Sequence, residues 1–274
     1  LTIQATSGVF DSKNVSLVNG GTQNVNIGGI TVTGADATNY TQQNTSTTTT
    51  AKILPKSLTA TVNANNKTYD GTTSATATLT GVQGFVGQES VSVDSSSVSA
   101  TFNSKDVASA NTVSVNAALL DGSNGGLGAN YTIKNQTGVA HITPKDVTVS
   151  GIAASNKTYD GNTTAQITSG TVADTVGGET LSVSGVGTFN DKNVGTGKAV
   201  TTAYTLSGTD ASNYSLVQAS GLTASISAKA LSISGVTANN KIYDGTTSVL
   251  LTGTASLSGL LGQDAVSVSG IATG

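Results

Sequence analysis

The pentapeptide Lys67-Thr68-Tyr69-Asp70-Gly71 returns as Lys157-Thr158-Tyr159-Asp160-Gly161 and again as Lys241-Ile242-Tyr243-Asp244-Gly245. The period, roughly 85 to 90 residues, lies well above the roughly 20 to 50 residues of a solenoid turn. Each repeat must therefore bury a small core of its own. The chain reads as a tandem array.

Two further landmarks keep the same register. Phe10, Lys13 and Val15 match Phe102, Lys105 and Val107, and then Phe189, Lys192 and Val194. Asn39-Tyr40 matches Asn130-Tyr131 and Asn213-Tyr214, each pair placed five residues after Gly34, Gly125 or Gly208. Residues 1–56 carry the landmarks of the second half of a repeat, 57–145 and 146–229 are complete repeats, and 230–274 carry the landmarks of a first half. This division reads as an excerpt from a longer array. The joints fall at Pro55, Pro144 and Ala228, so both prolines of the chain sit at joints. Proline fixes φ and removes a backbone donor, which suits the place where one sheet's pairing ends and the next begins. Joints this short favour a stiff string of domains over flexible tethers.

Only 10% of the residues are charged, against roughly 25% in ordinary globular domains. Alternating stretches such as Val91-Ser92-Val93, Leu181-Ser182-Val183 and Val266-Ser267-Val268 are bounded by Gly, Asn and Asp, and no stretch keeps apolar residues at helical spacing for three turns. The expected fold class is all-β: tandem immunoglobulin-like antiparallel β-sandwich repeats of about 85 to 90 residues in an elongated rod, with β-grasp-like repeats as the alternative. Nine of the eleven aromatic residues stand at recurring positions. Phe10, Phe102, Phe189, Tyr40, Tyr131 and Tyr214, together with the tyrosines of the pentapeptide, are expected to plug the core of each unit.

The net charge of -3 and the absence of a Lys-rich run count against nucleic acid as a partner, and no apolar stretch is long enough for this segment to insert in a membrane. The lone His141 is matched by Lys52 and Ser225, so no base is shared between repeats and no enzyme is expected. Asp36 with Asn39, Asp210 with Asn213, and Asn190 with Asp191 invite a calcium site, but Leu127 breaks the pattern. Calcium asks for roughly six to eight oxygens, and turns built on Asp and Asn account for the clusters. No cofactor is expected. Lys67 with Asp70, and their repeats, invite a cross-link to Asn130 or Asn213, which would need a neutral buried amine and a protonated carboxyl. An Asp-Gly turn with a neighbouring Lys explains the same residues.

The run Asn66 to Thr73, the Phe-x-x-Lys-x-Val landmark and the Gly-x-Asp-Ala-x-Asn-Tyr stretch at Gly34 and Gly208 resemble the YDG and related MBG repeats of very large secreted bacterial proteins, including adhesins of the filamentous-haemagglutinin type exported by two-partner secretion. The resemblance spans essentially the whole chain. It implies a secreted or cell-surface β-rich stalk linked to attachment and biofilm. The partners it implies are neighbouring repeats of the same chain, and it supplies no ligand. Two alternatives stand beside the stalk. Identical chains could form a fibre in which one half-repeat completes another by strand addition. Alternatively the repeats could bind glycan or protein, for which exposed aromatics are expected.

Overall fold

Alternation of β-branched and small polar residues gives strands with one buried face. In Thr112–Ala117, Val113 and Val115 are wholly enclosed while their neighbours lie nearer the surface, the period of two that a pleated strand imposes. The computed structural model describes residues 1–262 and 264–269, and among these it contains strands and five single-turn 3-10 helices but no α-helix. The all-β tandem expectation holds. The chain divides into two compact units, Leu1–Pro144 and Lys145–Gly274.

In the first unit a five-stranded sheet runs in the order Lys56–Ser57, Tyr131–Val139, Thr112–Ala117, Ser99–Phe102, Ser74–Ala75. Thr59–Ala64 pairs with Ala77–Gln83 beside it, with a bulge between Thr80 and Gln83. Leu58, Val91 and Tyr131 form a buried cluster on which Val82, Phe85 and Leu119 pack, and the Phe85 ring meets Tyr131 edge-on at 5.9 Å. In the second unit the five-stranded sheet is Lys157–Thr158, Leu222–Ser227, Gly195–Ser207, Ser182–Phe189, Thr164–Ala165, accompanied by a three-stranded sheet of Thr171–Ala173, Lys145–Ser150 and Tyr214–Val217. Its core joins Phe189, Val200 and Ile226 to Ala165 and Ala224.

The pairing corrects one part of the expectation, because the sheets are mixed rather than antiparallel. Lys56 lies beside Tyr131 and Lys67 beside Ile142, both in parallel ladders that share a single register offset. Lys145 lies beside Tyr214 and Lys157 beside Ile226, again parallel and again with one offset for both ladders. The opening and closing stretches of each complete repeat thus run side by side in the same direction. Parallel strands need a long crossover, and here the rest of the repeat is that crossover. The chain enters a repeat at one end and leaves it at the other.

Glycine permits the closest backbone approaches. A Cβ on Gly126 would lie 2.1 Å from the Ser90 carbonyl oxygen, and one on Gly208 would lie 2.8 Å from the equivalent Thr180 oxygen. Both glycines precede the single 3-10 turn, Gly128–Asn130 or Ala211–Asn213, that delivers the tyrosine strand.

Every fully buried apolar residue among the described ones falls between Leu58 and Ile226. Of the positions expected in the core, Tyr159 is only partly buried, packed against the second unit's cluster, and two are largely exposed. Tyr40 is 66% exposed and Tyr243 94%, against 5% for Tyr131 and 2% for Tyr69. Among the described residues, 1–56 contain no counterpart of Leu58, which shares a buried cluster with Tyr131, and those after 229 contain no counterpart of Lys105, whose ammonium stands over the Tyr69 ring. Phe10 is half-buried.

Phe189→Ala is expected to cost about 3 to 5 kcal/mol and Ile133→Val about 1 kcal/mol. Urea unfolding followed by far-ultraviolet circular dichroism checks both, with loss of the corresponding repeat's transition as the limit for Phe189→Ala.

Candidate functional site

The recurring pentapeptide folds into a clamp around its own lysine. Lys67 Nζ donates to Asp70 Oδ1 at 2.7 Å, to the Thr72 carbonyl at 2.9 Å and to Thr72 Oγ1 at 3.0 Å, so its three protons all find acceptors. Thr72 N donates back to Asp70 Oδ1 at 2.9 Å, and Gly71 takes the left-handed conformation between them, φ 77°. Lys157 repeats the arrangement with Asp160 at 2.7 Å and the Asn162 carbonyl at 2.8 Å. Lys241 repeats it with Asp244 at 2.9 Å and the Thr246 carbonyl at 2.8 Å. Gly161 and Gly245 have φ of 83° and 74°. Only glycine occupies that region without strain, which accounts for the Asp-Gly pair.

The second landmark completes the clamp in the full repeats. Lys67 Nζ stands 5.8 Å from the centre of the Phe102 ring, and Lys157 Nζ stands 5.5 Å from that of Phe189. In return Lys105 Nζ lies 5.7 Å from the Tyr69 ring centre and donates to its hydroxyl at 3.2 Å. Each cation over a ring face gains quadrupole attraction. The two motifs, far apart in sequence, are two halves of one structural device.

The carboxylates report the same contacts. The hydrogen bond from Lys157, supported by Asn162, holds Asp160 below the usual carboxylate range despite some desolvation. Asp244 is lowered first by its bond from Lys241 and then by Thr246. At Asp70 partial burial pushes upward, and the bonds from Lys67 and Thr72 outweigh it.

Tyr131 and Tyr214 hold a second recurring element. Tyr131 OH accepts from Val86 N at 3.1 Å and donates to Glu89 Oε2 at 2.7 Å. Tyr214 OH accepts from Val176 N at 2.9 Å and donates to Glu179. Burial, then the bond to Glu89, raises Tyr131 above the usual phenol range. Glu89 and Glu179 are not among the residues that the sequence pattern singles out. Their recurrence with Asp264, each three residues after Val86, Val176 or Leu261, is the signal that marks them. Tyr204, outside the recurring aromatics, is also buried, and its hydroxyl reaches the Thr168 carbonyl at 3.3 Å.

Pro55, Pro144 and Ala228 are exposed. Pro144 alone separates Ile142–Thr143 from Lys145–Ser150, and Leu222–Ser227 ends directly before Ala228. The His141 side chain is exposed; its backbone N–H donates to Asn66 Oδ1 at 2.7 Å, and Ser225 N makes the same bond to Asn156. That position recurs through its backbone, so its side chain is free to vary. Among the described residues no group of three or more His, Asp or Glu is placed to hold a metal ion. In the first complete repeat the lysine and asparagine of the cross-link reading are engaged with other partners: Lys67 donates to Asp70, and Asn130 Oδ1 accepts from Val15 N at 2.8 Å.

An intact mass equal to that of the unmodified chain is expected, and a deficit of ammonia would reveal a cross-link. Lys157→Met is expected to cost about 1 kcal/mol, read from the urea midpoint. In acid the clamps weaken in a defined direction. Asp160 has a folded pKa below its unfolded one, so its contribution is complete above the ordinary Asp range and is lost as pH falls through the lowered value. Midpoints measured against pH should therefore drop more gently for Asp160→Asn than for the parent.

A family model described as YDG domain matches residues 54–138, 143–221 and 227–274. No curated protein and no solved structure matches the chain. With three copies of the matched domain covering most of its length, and the clamp built alike in each, the chain belongs to the YDG domain family.

Proposed function

We propose that this chain is a non-enzymatic stalk segment of a large secreted bacterial surface adhesin, a filament that projects or links cells in attachment and biofilm. The observation that carries the reading is the parallel alignment of opening and closing strands, which sends the chain in at one end of each complete repeat and out at the other. Such a unit adds length each time it is repeated. The low charge and many hydroxyl side chains keep a long surface hydrated without attracting nucleic acid or anionic lipid. No helix among the described residues is long and apolar enough to cross a membrane.

Deletion of residues 57–145 from the parent protein joins Lys56 to Asp146, whose equivalents in the neighbouring repeats are Lys145 and Ser57. The shortened protein is expected to reach the cell surface and to present its distal end closer to the cell, measured by atomic force microscopy on intact cells. An unchanged projection, or a protein found only inside the cell, overturns the stalk.

A second reading, a fibre in which residues 1–56 of one chain are completed by residues 230–274 of the next, is favoured by the exposure of Tyr40 and Tyr243, since in the complete repeats Tyr131, Tyr214 and Tyr69 are buried and Tyr159 is partly buried. Sedimentation velocity at increasing concentration separates the two. Growing species support the fibre, and a fixed monomer overturns it.

A further inference from the structure

The glutamate-tyrosine element does more than brace its own repeat. Lys13 Nζ, from the Phe-x-x-Lys-x-Val landmark of residues 1–56, donates to Glu89 Oε1 at 3.3 Å. Val15 N donates to Asn130 Oδ1 at 2.8 Å, and Asn130 Nδ2 donates to Asn14 Oδ1 at 2.9 Å. Lys13 and Val15 line one cavity with Val86, Glu89, Asn130 and Tyr131. The second unit contains the same meeting between residues 146–229 and the segment that follows. Lys192 Nζ lies 3.8 Å from Asp264 Oδ1, which also accepts from Tyr159 OH at 2.9 Å. Val194, Leu261 and Asp264 line one cavity there with Leu231.

We infer that Val86, Glu89, Asn130 and Tyr131 form a receiving surface whose partner is the Lys-x-Val loop of the preceding repeat of the same chain. At the Pro55 and Ala228 joints the inserted Lys13 and Val15 match Lys192 and Val194, and the receiving Val86 and Glu89 match Leu261 and Asp264. Joined only through Pro55, residues 1–56 could swing about the peptide chain. With Lys13 to Val15 seated as well, the joint has two separated attachments, and bending must break one of them. Glu89 is suited to the task because the Tyr131 hydroxyl, then Lys13, hold it below the usual carboxylate range and so ionised. Lys13 itself is largely exposed and contributes to no core. The device concerns the stiffness of the chain and does not depend on its cellular role.

The chain has no cysteine, so Thr48→Cys with Thr101→Cys, both on exposed strand faces in adjoining segments, gives a unique pair of spin labels for pulsed distance measurement. The otherwise unaltered protein is expected to give one narrow distance peak. Lys13→Glu is expected to abolish that peak in favour of a broad distribution, and Glu89→Gln, which keeps an acceptor for Tyr131, to broaden it less. The urea midpoint of the 57–145 repeat should stay unchanged in Lys13→Glu. A broad distribution before substitution, or a narrow one in Lys13→Glu, overturns the latch. A fall in the midpoint together with broadening also overturns it, since Lys13 would then serve the repeat's own fold.

Discussion

The parallel ladder between the opening and closing strands of each repeat is the constraint on which the remaining structure depends. Parallel pairs are slightly weaker per residue than antiparallel ones and close a far longer loop. Something beyond the ladder must therefore hold the first strand in place. The clamp does this: Lys67 lies in the ladder with Ile142 and is gripped by its own turn while its ammonium sits over Phe102. Phe102 belongs to Ser99–Phe102, an interior strand of the five-stranded sheet. A cation over that ring fastens the opening stretch of the repeat to a strand from its middle.

Charge is used sparingly and locally. Isolated surface ion pairs contribute about 0 to 1 kcal/mol, and a chain with so few charged residues could dispense with them. Lys157 is different, because its ammonium meets Asp160, two Asn162 oxygens and the Thr164 carbonyl while standing over Phe189. Several acceptors fix one geometry, so the lysine acts as a staple for an otherwise irregular loop. The same economy appears at Tyr131, where one hydroxyl orders the Val86–Glu89 turn from both sides.

The repeat, the strand content and the Asp-Gly turn are legible in sequence because each rests on local chemistry. Gly71 must adopt positive φ, Asp70 must cap its own backbone, and Val113 and Val115 must alternate with polar neighbours. The parallel pairing is not legible, since nothing in Lys56 or Tyr131 reveals a partner most of a repeat away. Glu89 escapes notice because a lone acidic residue among turns looks like an ordinary solvated side chain. Its meaning comes from a hydroxyl delivered by a distant strand. Tyr40 and Tyr243 show the limit of reasoning by equivalence: a residue takes its repeat's core position only when the covering strand or loop is present.

That limit defines the cooperative unit. In residues 57–145 the first strand finds its parallel partner only after the last has been placed, and the core cluster draws on Leu58, Val91 and Tyr131, which span nearly the whole repeat. No half of a repeat can bury such a cluster, and Tyr40 and Tyr243 stay exposed among the described residues of the two end segments. Each repeat must therefore form as a whole. Because its core and its clamp are internal, and its ladder reaches beyond it only at Lys56 or Lys145, residues that recur at every joint, copies can be added or removed while each survivor keeps its own stability. What a change of copy number leaves to be satisfied is the joint, and the loop at Lys13 and the surface at Glu89 travel with every copy that carries these landmarks.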